Sequence, residues 1–155
     1  MQDQSLAILK KFGEYAQNFN LLEPTKVAPF LHSPAMLMTS EQVAVMNSSE
    51  EVIGVFTMMM DELRVKNFKE SKIIGNLQVT QLSDNQGQVV GVARRFNDKE
   101  EEIEHFGFTY ILRKIQDQDK VTDEWTIIAG VIHEPKLLDL DAIDLDLGSH
   151  LDRAE

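Results

Sequence analysis

The chain has 155 residues, 43 % of them hydrophobic and 26 % charged, with no cysteine and a net charge of -11 at pH 7. This is the composition of one soluble globular domain, able to bury about two thirds of its unfolded surface. The charge argues against nucleic acid as a partner, and the lack of cysteine excludes disulfides, thiolate chemistry and Cys-based zinc sites while fitting a cytoplasmic location.

No apolar run approaches the roughly 20 residues that cross a bilayer, so no membrane association is expected. The first five residues lack a basic stretch followed by an apolar one, so no signal peptide is expected either. Ser5 suits the cap of a first helix, along which Ile8, Phe12, Tyr15, Phe19 and Leu22 recur at steps of four and three as one apolar stripe. Pro24 suits the first turn of a shorter helix carrying Val27, Phe30 and Leu31, and Pro34 is expected to close it. Residues 35–39 and 42–46 are short strands around a turn at Ser40 and Glu41. Ser48 and Glu51 have the spacing of a capping box. The helix they open runs to about Lys66, with Val52, Val55, Phe56, Met59 and Leu63 on its buried side.

Strands follow: 71–83, a turn at 84–87 with Asp/Asn-then-Gly chemistry, 88–96, and a charged turn at 97–102. Two long strands, 103–115 and 121–133, then meet through a polar turn. Alternation puts Phe106, Phe108, Tyr110 and Leu112 on one face of the first. On the second it puts Trp125, Ile127, Ala129, Val131 and His133 on one face. Helices first and a meander of long strands last is an α+β order. Residues 1–135 are read as the domain and 136–155 as a partly ordered acidic tail; an edge strand, a partner-binding segment and a weak calcium site are the alternatives there, the last lacking the EF-hand spacing.

This element order, ending in the Trp125-x-Ile127 strand, resembles the nuclear transport factor 2-like superfamily, with matching stretches at 15–39, 50–63, 89–96 and 107–127. The resemblance covers residues 5–135. It implies a cone-shaped α+β fold, a curved antiparallel sheet wrapped around about three helices with a cavity at one end. That fold is shared by ketosteroid isomerases, polyketide cyclases, scytalone dehydratase and limonene epoxide hydrolase, so it is informative on architecture and weak on function. Laid on the isomerase branch, the helix tyrosine of the oxyanion hole falls on Tyr15 and the second donor on Tyr110. The general base falls at or near Thr39. Threonine cannot take a proton from carbon at neutral pH, so ketosteroid isomerisation as such is rejected.

Tyr15 and Tyr110 are the only tyrosines. Each is either an ordinary core phenol or a hydroxyl turned into the cavity to hold a carbonyl oxygen. His32 and His133 are the candidate proton carriers, against the alternative of histidines bonded at element ends. Arg94 and Arg95 must point to opposite faces of their strand, and the apolar company of Arg94 (Val90, Val92, Phe96) places Arg94 inside, facing an anionic ligand or a helix acid. Phe108 and Trp125 are read as cavity walls, and Met59 belongs to a methionine-rich lining. No Gly-rich phosphate loop or metal-spaced cluster is present, so neither cofactor nor metal is expected. Superfamily members often pair through the outer sheet face, and Ile73, Leu77 and Val79 opposite Ile74 and Leu82 make both faces of one strand apolar, so a homodimer is expected. The reading is a pocket for a small apolar carbonyl compound, which is bound or transformed by proton transfer or dehydration. The alternative is a noncatalytic homodimeric module whose pocket is filled by its own side chains.

Overall fold

The computed structural model describes residues 3–118 and 120–135; the acidic tail read for 136–155, His150 included, lies outside the described residues. Among the described residues three helices, α1 (Ser5–Phe19), α2 (Pro24–Val27) and α3 (Ser49–Val65), cover a curved sheet. Its strands are β1 (Leu31–Met38), β2 (Val43–Met46), β3 (Phe68–Ser83), β4 (Gln86–Asn97), β5 (Glu102–Asp117) and β6 (Lys120–His133). They lie in the order β2-β1-β6-β5-β4-β3. The architecture is the expected α+β one, except that the sheet is mixed. β1 runs parallel to β6, and the other pairings are antiparallel. None of the described helices is long and apolar enough to cross a membrane.

The α1 stripe packs as its spacing requires, with Ile8, Phe12, Tyr15 and Phe19 buried. Ser5 is its first helical residue rather than its cap, and the Ser5 N–H donates to Asp3 Oδ1 at 2.9 Å. Pro24 opens α2 as expected, but the following 3-10 turn ends at Phe30. Pro34 therefore sits inside β1 instead of closing a helix, where the β1–β6 register slips between Leu31 and Met36. A proline has no N–H to give the ladder, so an irregular stretch suits it. At α3, Ser48 Oγ accepts from the Glu51 N–H at 3.2 Å, and the Glu51 carboxylate accepts from the Asn47 N–H, one residue upstream of the usual box.

Which side chains reach the concave face is settled by register. Directly opposed residues share a face, so Gly87–Leu112, Val89–Tyr110, Gly91–Phe108, Ala93–Phe106 and Arg95–Glu104 all point under the helices. On β6 the parity changes partway: Ile127 pairs with Leu112, but Ala129 pairs with Ile111. Ile128 is an extra residue, a bulge. Trp125 and Ile127 consequently face inward while Ala129, Val131 and His133 face outward, and the single face expected for these five is split.

Gly87 lets α1 lie close to the sheet, since a Cβ there would sit 2.5 Å from Ile8 Cδ1. Gly13, on α1, has nothing within 4 Å of such an atom. Gly87→Val is expected to lower unfolding free energy by about 1–3 kcal/mol through overpacking. Gly13→Ala is expected to raise it by up to about 1 kcal/mol through helix propensity. Urea denaturation measures both; equal effects of one sign would contradict this packing.

Candidate functional site

The α1 stripe and the concave row of β5 meet through their aromatic rings. Phe12 stacks on Phe108 at 5.3 Å between centroids and tilts against Tyr110 at 5.2 Å, and Tyr15 meets Tyr110 edge-on at 5.8 Å. Tyr110 fits because Gly130 lies opposite it; a Cβ at Gly130 would be 2.6 Å from Tyr110 Cε1. Beside this cluster, between α1, α3 and the sheet, lies a cavity of about 570 Å³. Its wall is mostly apolar, with Phe12, Phe108 and Met59 among its members, and carries the two tyrosines.

Both phenols are nearly buried, 5 % and 8 % exposed, and neither hydroxyl bonds to a backbone group among the described residues. Burial pushes the Tyr15 phenol well above its ordinary value of 10.0; the charge of Tyr110 and a hydrogen bond to it add to the shift, and Arg95 opposes it. Burial also raises Tyr110, with the bond to Tyr15 and the Arg95 charge partly offsetting it. At neutral pH both are therefore protonated, and both side chains belong to the cavity wall.

The charged residues on the cavity wall are Glu41, Glu62, Lys66, Arg95 and Glu104. Arg95 Nη1 donates to Glu104 Oε2 at 2.7 Å, and Glu104 Oε1 also accepts from Lys66 Nζ at 3.2 Å. The guanidinium carbon stands 4.6 Å from the Phe106 ring centre and 5.2 Å from that of Phe19. Ser71 lies directly across the ladder from Arg95. Its backbone N–H and C=O are both engaged by the Asn20 amide, at 2.9 and 3.4 Å. Ser71 Oγ and Arg95 Nε are nevertheless buried without partners, a cost of about 1–3 kcal/mol for a group so left.

Tyr15, Tyr110, Phe108, Met59 and Thr39 line the cavity. The Thr39 hydroxyl accepts the N–H groups of Glu41 and Gln42, both at 3.2 Å, and so serves its own turn. The other four expected residues lie elsewhere. His32 Nδ1 donates to Pro34 O at 2.9 Å and Nε2 accepts from Arg113 at 3.2 Å, on the outer side of the sheet. The β6 bulge turns His133 outward too, with Nε2 on Thr109 Oγ1 at 2.9 Å and Nδ1 on Glu134 O at 3.1 Å. Each ring thus has both nitrogens occupied away from the cavity. Trp125 is buried where α1 begins, its N–H aimed at Gln4 Oε1 at 3.4 Å and its ring under Lys114. Arg94 faces outward and pairs with Glu102 at 3.2 Å, so the inward arginine is Arg95, opposite to the expectation. The apolar neighbours of Arg94 belong to the outer face. The inner neighbours of Arg95 are small, Gly91 and Ala93, as a strand under packed rings and helices requires. That size difference was the signal available in the sequence. Among the described residues no group of acidic or histidine side chains could hold a metal.

A phenol whose native pKa exceeds its unfolded value adds stability that is complete below about pH 10 and is lost as pH climbs through the native value. Absorbance titration of the two tyrosines is expected to show no phenolate at the ordinary midpoint of 10.0, with ionisation arriving higher and together with unfolding. A midpoint of 10 in folded protein would contradict their burial.

The profile of the family described as NTF2-like protein (DUF6841) matches residues 4–135. No curated protein matches the sequence. Among solved structures, a domain with a cystatin-like fold from Nostoc punctiforme superposes with a TM-score of 0.65 at 13 % identity, over 99 % of this chain and 96 % of that one. An NTF2-like protein with a cystatin-like fold from Novosphingobium aromaticivorans gives 0.65 at 9 % identity, over 87 % and 82 %. A ketosteroid isomerase-like protein from Erwinia carotovora atroseptica gives 0.62 at 16 % identity, over 86 % and 97 %. At these identities the likeness is one of fold, and with the profile spanning nearly all the described residues, the chain belongs to the NTF2-like family DUF6841.

Proposed function

We propose that this protein binds a small apolar compound carrying a carbonyl or enolic oxygen, with its body against Phe12 and Phe108 and its oxygen at the hydroxyls of Tyr15 and Tyr110. The observation that carries this reading is a pair of protonated phenols on the wall of one apolar cavity with no backbone partner. Fixed donors in a site of low polarity stabilise negative charge on oxygen more strongly than water does. The fold shared with a ketosteroid isomerase-like protein agrees with a cavity used in this way. Binding and polarisation stand ahead of proton transfer or dehydration. Both candidate histidines are committed on the outer face and Glu104 is held between two cations, which leaves Glu41 and Glu62 as the other carboxylates on the cavity wall.

A second element of the reading is pairing of two copies through the outer sheet face. Val43, Met38, Val131, Thr109 and Val90 form one row across five strands of that face, and Val45, Met36, Ala129 and Ile111 form another. Val43 and Val45 are 55 % and 60 % exposed. Contiguous apolar rows of this kind normally meet a partner, and a two-fold pair of identical faces is the commonest arrangement.

With 2-naphthol as the enol mimic, Tyr15→Phe and Tyr110→Phe are expected to keep wild-type circular dichroism and to weaken calorimetric binding about fivefold each, roughly 1 kcal/mol. Unchanged affinity in both would remove the reading. Val131→Lys is expected to convert a sedimenting dimer into a monomer. A wild-type protein that is monomeric at high concentration would remove the pairing.

A further inference from the structure

The cavity carries a polar corner that the phenol pair does not use. In a chain of net charge -11, Arg95 and Lys66 share the single carboxylate of Glu104, which leaves one positive charge uncompensated within that triad. The guanidinium offers five N–H groups; among the described residues its hydrogen-bond partner is Glu104 alone, and its Nε is buried without one. Directly across the ladder Ser71 holds a second unpartnered buried hydroxyl, although its backbone is fully bonded. Two adjacent unsatisfied donors, one of them cationic, are costly together unless something accepts from both.

We infer that Arg95 and Ser71 form a seat for a carboxylate, and that the ligand of this cavity is an apolar monocarboxylic acid rather than a neutral compound. The cavity wall also carries the carboxylates of Glu41 and Glu62, so positive charge is confined to the Arg95–Lys66–Glu104 corner. One uncompensated positive charge suits a monoanion, whereas a phosphate monoester brings nearly two negative charges and would leave one unmatched. Arg95 keeps 15 % of its side chain exposed, and Arg95 and Ser71 both belong to the cavity lining. The rings of Phe19 and Phe106 flank the guanidinium and limit how far it can turn, which aims it. Tyr15, Tyr110, Arg95 and Ser71 all line the same cavity, so one bound molecule can address the seat and the phenol pair together.

The inference rests on the proposed ligand pocket, and three probes separate the two. 2-Naphthol carries only the phenol-type oxygen, 2-naphthoate only the carboxylate, and 6-hydroxy-2-naphthoate both. Calorimetry on the full chain is expected to rank the bifunctional probe tightest. Arg95→Gln is expected to weaken both carboxylates roughly ten- to hundredfold, the range for a charged hydrogen bond, while leaving 2-naphthol within about twofold. Ser71→Ala, which keeps the Glu104 ion pairs, is expected to weaken the carboxylates several-fold and guards against a folding defect in the arginine variant. Carboxylate binding that is insensitive to both variants overturns the inference, as does an equal loss for naphthol and naphthoate. Naphthoate binding that depends on Arg95, without any naphthol binding, keeps the seat and discards the role given to the phenols. No binding of any probe discards both.

Discussion

Phe12 of α1 lies against Phe108 and Tyr110 of β5, and the rest of the molecule is arranged around that contact. One apolar stripe at helical spacing meets one apolar row at strand spacing, and neither is buried without the other. Each ring contributes about 2–3 kcal/mol of burial and each ring pair about 1 kcal/mol more, which is large against a net stability of about 5–15 kcal/mol. Gly87 leaves room for Ile8 of the helix, and Gly130 leaves room for the Tyr110 ring. The same contact decides the chemistry, since it shields both phenols from water and holds them protonated side by side.

The two faces of the sheet have been given different work. Under the helices lie the aromatic rings of the core, the phenols, Arg95 and Glu104; on the far side lie His32, His133, Arg94 and the valine-rich rows. The bulge at Ile128 is what assigns His133 to the outer group. Without it, strict alternation from Trp125 would have carried that ring inward to the cavity. A one-residue shift of parity therefore separates a cavity with an imidazole from one without.

Much of the architecture could be read from periodicity. The steps from Ile8 to Phe19, the Ser48 cap and the turn after Ser83 are local signals, and local chemistry fulfils them. The candidate site was legible only in part. Tyr15, Tyr110, Phe108 and Met59 sit on cleanly patterned elements, and their place on the cavity wall follows from that pattern. Arg94 and Arg95 were not separable by hydrophobicity, because β4 has apolar groups on both faces, and only the size of their neighbours distinguishes inside from outside. Ser71 carried no signal at all. Its hydroxyl matters because of what stands opposite it, and that depends on how β3 pairs with β4 rather than on any residue near it in the chain.

The central claim is that two phenols and one guanidinium look into a single open space. The most direct measurement is a high-resolution density map of the protein purified from its own source. The account predicts a separate molecule between the Tyr110 ring and Arg95, in hydrogen-bond reach of both. Side chains such as Met59 filling that space, with both phenol hydroxyls bonded to the backbone, would contradict it.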